Sequence, residues 1–118
     1  MKFLIAVSSG TDDPTRATLG VMAAKTAREQ GHEVTVWLQG EAVVIANRHV
    51  YDKIQGVNMP AMQGLMEALL AQGVPFWVCE ACGKGRNVTP ENWVATASYR
   101  TMGDYVAAAA AADRVLSF

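Results

Sequence analysis

The sequence predicts a single α/β domain, residues 1–118, built on a mostly parallel sheet of about five strands. Three observations carry this expectation. The chain opens with a short continuous apolar run, a polar loop, a helical stretch and a second run rich in β-branched residues, which reads as a βαβ unit. The connections are short, so the two strands should lie parallel, joined by a right-handed crossover. Further apolar runs of strand length then alternate with helical segments to the end of the chain.

Residues 2–8 form the first strand, because Phe3, Leu4, Ile5, Ala6 and Val7 are uninterrupted apolar residues of strand length. Ser8 to Asp13 is a polar loop. Pro14 suits a first helical turn, with Asp13 as its cap, and the helix should run to about Gln30 and stop at Gly31. Leu19, Met22, Ala23 and Thr26 keep to one helical face. His32 to Leu38 is strand two. Gln39 to Asn58 follows neither period; a loop after Gly40 and a short helix near 42–47 are the expectation. Pro60 opens the next helix, where Met62, Leu65, Met66, Leu69 and Leu70 form an apolar stripe that ends at Gly73. Pro75 to Val78 is strand three, and a loop carrying two cysteines follows. Pro90 to Val94 reads as a helical turn and Ala97 to Arg100 as a short strand. An alanine-rich helix then runs from Met102 to Ala112. Asp113 to Phe118 closes as the last strand.

Composition narrows the function classes. The formal net charge is −1 and no basic stripe stands out, so no nucleic-acid partner is expected. No apolar run approaches the ~20 residues of a membrane helix. The opening apolar run gives way to polar residues too soon for a secretion signal, and the expected location is cytoplasmic. Charged residues make up 18% of the chain, below the usual quarter. Some surface should therefore be covered in a homo-oligomer, and the irregular apolar segment Val43, Val44, Ile45, Val50 and Tyr51 is the expected contact.

Cys79 and Cys82 are the only cysteines. They stand where strand three ends, the edge at which open α/β sheets collect ligands and chemistry. Lys84 and Arg86 follow closely, and nearby positive charge favours a thiolate. A thioredoxin-like dithiol would need Cys82 to be carried into a helix at once, which Gly83 and Gly85 weaken. A structural zinc site would need four ligands, and only His32 and His49 remain as further soft donors, so no metal is expected. A single nucleophilic or sulfur-carrying thiol is the third reading; two small buried apolar residues is the bland one.

Ser8 to Asp13 lies between a strand and a helix, where Ser9, Gly10 and Thr11 could offer backbone N–H groups to an anion. A capped turn explains the same residues, and Asp12 and Asp13 would repel a phosphate. Glu41, after strand two, could position or protonate a substrate, or be a solvated acid. His49 reads as a surface or interface residue. Trp37, Trp77 and Trp93 fill core or interface, and Trp77 should share a face with Cys79.

Taken together, the opening strand, loop and helix, the run Val36-Trp37-Leu38-Gln39-Gly40-Glu41, the segment from Val74 to Arg86 and the closing Ala112 to Phe118 resemble the DsrE/DsrF-like family of small sulfur-relay proteins. The resemblance spans the whole chain. It implies a flavodoxin-like three-layer domain that assembles into homotrimers or homohexamers. It also implies sulfur transfer through a cysteine persulfide, between donor and acceptor proteins and without a cofactor. The family's carrier cysteine falls on Cys79, although other members have theirs at the position of Cys82. Its basic residue falls on Arg86. The glycine that often follows is Asn87 here, a residue that tolerates a left-handed turn.

The resulting expectation is a sulfur carrier or sulfurtransferase-like subunit with Cys79 as the carrier and Cys82 secondary. Lys84, Arg86 and loop N–H groups would stabilise the anionic persulfide. A non-catalytic ligand or interaction module and a Cys79–Cys82 redox switch are the alternatives.

Overall fold

The computed structural model describes residues 1–118. Five strands, β1 (Lys2–Val7), β2 (Glu33–Leu38), β3 (Phe76–Cys79), β4 (Ala97–Arg100) and β5 (Arg114–Ser117), form one sheet in the order β4-β3-β2-β1-β5. Every pairing is parallel. The order reverses at β1, which places the topological switch point between β1 and β5. Flavodoxin itself runs 2-1-3-4-5, so the likeness lies in the layers and the parallel sheet rather than in strand order.

Four helices connect the strands: α1 (Pro14–Glu29), α2 (Met62–Ala71), α3 (Glu80–Gly85) and α4 (Met102–Ala111). Asp13 caps α1 by accepting from the Arg16 N–H at 3.1 Å, and Pro14 occupies the first turn. Gly31 and Gly73 end α1 and α2 with φ of 88° and 69°, where any Cβ would be strained. The α2 stripe buries Met62, Leu65, Met66 and Leu69, as its spacing predicts, while Leu70 is half-buried.

Two unequal cores flank the sheet. On one face α1 and α2 cover Ile5, Val7, Val36, Leu38, Phe76 and Val78. On the other, Leu4, Ala6 and Trp37 are covered by α4, with Trp37 stacked on Tyr105 at 4.8 Å. Alanines at 108, 109 and 112 let α4 lie close to this face. A capping box starts α4: Thr101 Oγ1 accepts from the Asp104 N–H, and the Thr101 N–H donates to Asp104 Oδ2 at 2.9 Å. Those bonds to Thr101, ahead of the more distant Arg100 charge, hold the Asp104 carboxyl below the usual aspartate range. A carboxyl carbon titration should therefore place the Asp104 midpoint below the ordinary aspartate value. Thr101→Ala should move it up. The capping contribution is present above the ordinary aspartate value and is lost as pH falls through the depressed one.

Two expectations are corrected. The segment after Gly40 is a 3-10 helix, Gly40–Ala46, followed by a short one, Tyr51–Lys53. Its Val43 and Ile45 are wholly buried in the larger core of the protomer, so they are not an exposed contact surface. Their irregular spacing reflects the tighter 3-10 period. Exposed apolar side chains lie elsewhere, at Leu19 on α1, Met102 and Val106 on α4, and Val115 and Leu116 on the edge strand β5.

The cysteine segment is also not a loop. Helix α3 begins directly after Cys79, with Cys79 at its N-cap position. Gly83 is buried, and a Cβ there would lie 2.7 Å from Val78 Cγ1 and 3.0 Å from Tyr99 Cε1. The glycine that weakens the helix by propensity is what allows α3 to lie against β3 and β4.

Candidate functional site

The C-terminal edge of the sheet gathers three segments: the β1–α1 loop, the start of the 3-10 helix, and the β3–α3 junction. The cysteines stand at the end of β3, away from the switch point, which is bordered by Ser8, Arg16 and Phe118. Gly10 joins the first two segments. A Cβ on it would fall well inside van der Waals contact of the Glu41 carbonyl oxygen and 2.9 Å from Val44 Cγ2. Its N–H donates to Asp12 Oδ1 at 2.8 Å, a turn closed within the loop. Ser9 is buried and Thr11 exposed. The Gly10 N–H expected to face an anion is thus taken by Asp12.

Glu41 and Arg86 join the second and third segments. Arg86 Nε donates to Glu41 Oε1 at 2.7 Å, and Arg86 Nη1 donates to the Cys82 carbonyl oxygen at 3.3 Å. The bond to Glu41 is the first cause of the raised Arg86 pKa, with smaller contributions from the charges of Glu41, Cys82 and Asp12. Lys84 is paired as well, donating to Glu80 Oε2 at 2.9 Å across one helical turn, which raises its pKa. Its ammonium lies 5.6 Å from the Tyr99 ring centroid. Asn87 ends the segment at φ 55°, the left-handed turn expected of it. Both predicted cations are therefore present, and each already shares its charge with a carboxylate.

Cys79 and Cys82 are free and half-buried, three residues apart across the N-terminal turn of α3. That spacing puts both thiols on one side of the turn. Burial pushes the Cys79 thiol above its ordinary value, and the adjacent Cys82 thiol pushes it further; the backbone N–H groups of Cys82 and Ala81 act in the opposite direction.

Cys79 opens onto a cavity of about 430 Å³, lined also by Glu80, Ala81, Lys84, Arg100, Thr101 and Met102. Cys82 is not part of that lining. Arg100 is the member that the sequence reading passed over. It pairs with Cys79 in the β3–β4 register, and the same register sets Ser98 beside Trp77. Strand alternation puts all four side chains on the α4 face of the sheet. A strand partner of the cysteine becomes visible only once β3 and β4 are paired. His32 and His49 lie apart from the cysteines: His32 Nδ1 is 2.9 Å from the N-terminal amine, and His49 donates its N–H to Asn47 Oδ1. No group of three or more His, Cys, Asp or Glu side chains is arranged to hold a metal ion. No helix is long and apolar enough to cross a membrane.

Comparison with known proteins agrees with this architecture. The DsrE/DsrF-like family matches residues 1–118. An uncharacterized protein of Methanocaldococcus jannaschii is 26% identical over 118 residues, covering 100% of both chains. Among solved structures, the ychN protein from E. coli superposes with a TM-score of 0.83 at 22% identity, covering 100% of this chain and 99% of that one. A protein of unknown function from Methanobacterium thermoautotrophicum gives a TM-score of 0.77 at 13% identity, over 99% and 98% of the two chains. At these identities the structures show a shared fold. The chain belongs to the DsrE/DsrF-like family.

Proposed function

We propose that this DsrE/DsrF-like protein carries sulfane sulfur as a persulfide on Cys79, with Cys82 as the thiol that can discharge it. The observation that carries the reading is the placement of Cys79: it ends an interior strand of the sheet, lines a cavity, and has a second thiol one helical turn away. The strand fixes its backbone, so the sulfur has a defined direction. In the loading step the Cys79 thiolate attacks the outer sulfur of a donor persulfide R–S–SH. The donor S–S bond breaks, R–S⁻ leaves with the electron pair, and Cys79 holds S–SH. No net oxidation occurs. Delivery is the reverse exchange: an acceptor nucleophile attacks the outer sulfur and the Cys79 thiolate leaves with the electron pair. If the Cys82 thiolate instead attacks the inner sulfur, that of Cys79, HS⁻ leaves and a Cys79–Cys82 disulfide forms. A raised thiol pKa lowers the thiolate fraction at neutral pH, yet each thiolate formed is the stronger nucleophile.

Intact mass after incubation with a persulfide donor tests this. The wild-type protein should gain one sulfur, and a thiol reductant should remove it. A mass that never changes, or a gain that survives reduction, would sink the carrier reading. The redox-switch reading has one observation in its favour: α3 begins at once, so Cys82 is presented as a thioredoxin-like dithiol requires. Discharge through Cys82 ends in the same disulfide, so the Cys82→Ser protein separates the readings: the carrier still gains one sulfur there, whereas the redox switch, which needs both thiols, leaves the mass unchanged.

Assembly into homotrimers or homohexamers remains part of the proposal. It rests on the low charge of the chain and on the exposed apolar residues of α1, α4 and β5. An edge strand that is exposed throughout its length is a surface that proteins usually cover. Light scattering should report a species three or six times the 12.7 kDa chain. A monomer at micromolar concentration would exclude assembly.

A further inference from the structure

We propose that Arg100 and Cys79 form a subsite for small sulfur donors carrying a carboxylate a few bonds from the reactive sulfur, with Arg100 as the residue that positions them. The inference deepens the carrier reading and rests on it for the identity of the reaction. The following observations support it.

Arg100 is the register partner of Cys79, on the same sheet face and in the same cavity. Its guanidinium lies over the Trp77 ring at 4.6 Å from the centroid, which holds the fork flat. Its Nε donates to Ser98 Oγ at 3.2 Å, while its two Nη groups make no hydrogen bond within the chain. It belongs to none of the ion pairs that neutralise Lys84 and Arg86. Of the acids near it, Asp104 is held by the Thr101 capping box, and Glu80, which lines the same cavity, is paired with Lys84.

A half-buried guanidinium that is anchored at Nε and free at both Nη atoms matches a carboxylate in fork geometry. The cavity of about 430 Å³ has the size of a small-molecule site. Because both residues line one cavity and pair across the strands, a donor whose carboxylate docks on Arg100 can present its sulfur to Cys79. Transfer then follows the balanced exchange given above, with R–S⁻ as the leaving group. Arg100 takes no proton and forms no bond to sulfur.

Iodoacetate and iodoacetamide test the subsite directly, because they differ in charge and hardly in shape. The Cys82→Ser protein leaves Cys79 as its one thiol. The ratio of the two alkylation rates at a fixed pH cancels the thiolate fraction. Adding Arg100→Gln, which keeps a planar group over Trp77, should lower the iodoacetate-to-iodoacetamide ratio about tenfold, the size of one charge-assisted hydrogen bond. Arg100→Lys should restore part of the ratio, and added salt should reduce it in the Arg100 protein. Lys84→Gln removes a charge already paired with Glu80 and should change the ratio less. A purely structural role would alter both rates together. If Arg100→Gln leaves the ratio unchanged, the subsite is wrong.

A second arm uses N-acetylcysteine persulfide and its methyl ester. The acid should load Cys79 faster than the ester, and Arg100→Gln should erase the difference. Equal loading of acid and ester by the Arg100 protein overturns the subsite and leaves the carrier intact. Loading by neither, with the alkylation ratio behaving as expected, overturns the carrier and leaves the carboxylate subsite.

Discussion

Cys79→Ser should abolish sulfur loading, whereas Cys82→Ala should prolong the persulfide on Cys79 and move Cys79 alkylation to lower pH. The first effect follows from the assignment of the carrier thiol. Cys82 does not line the cavity, so it does not replace Cys79 there. The second effect has two parts. Removing Cys82 removes the only internal thiolate able to discharge the persulfide. It also removes the thiol neighbour and its charge, both of which raise the Cys79 pKa. The backbone N–H groups at positions 81 and 82 remain and continue to favour the thiolate. The sign is therefore fixed: in the wild-type protein the alkylation midpoint of Cys79 lies above the ordinary cysteine value of about 8.5, and in Cys82→Ala it moves down. Rates measured for both single-cysteine proteins from about pH 6 to about 11 span the ordinary value and the raised one. Faster reaction at Cys82, at lower pH, would transfer the carrier role to Cys82. The half-buried state of Cys79 is the physical reason that this outcome must be tested.

Gly83→Ala should destabilise the protein by about 1–3 kcal/mol, the usual cost of an added methyl group in a packed site, although alanine is the better helix former. The new Cβ meets Val78 on β3 and Tyr99 on β4. Tyr99 cannot move aside freely, because its hydroxyl donates to the Val88 carbonyl oxygen and its ring meets Trp93 edge-on at 4.9 Å. Relief must come from α3 itself, lifting away from the sheet and carrying Cys82 with it. Denaturant unfolding should show the lower stability. Gly85 makes an internal control. A Cβ there meets nothing within 4 Å, and Gly85→Ala should leave stability unchanged or raise it. Equal effects at the two glycines would remove close packing as the reason for Gly83.

The difference between those glycines marks what could be read from the sequence. Periodicity alone places α1, α2 and the first three strands within about two residues, because apolar spacing, Asp13-Pro14, Gly31 and Gly73 are local signals. Cys79 and Cys82 were legible as the candidate chemistry by their type, spacing and position after a strand. Alternation also placed Trp77 and Cys79 on one face. The short helix α3 was not legible, since intrinsic propensity counts Gly83 against it while packing on Val78 and Tyr99 requires that glycine. Val43 and Ile45 likewise read as an exposed apolar segment, because a 3-10 helix buries them without the spacing of an α-helix or a strand.

The charges near the cysteines divide in the same way. The sequence shows that Lys84 and Arg86 are close to Cys79 and Cys82 along the chain. It does not show that Glu80 and Glu41 already pair with them, or that Arg100 stands beside Cys79 with two free donor groups. By itself the sequence determined the α/β class, the run of elements and the two thiols, all of which follow from residue type and local period. Only the tertiary structure decided which cation lies in register with Cys79 and which are already paired with acids. A strand partner is set by sheet register and an ion pair by how loops pack, and both join residues far apart in the chain.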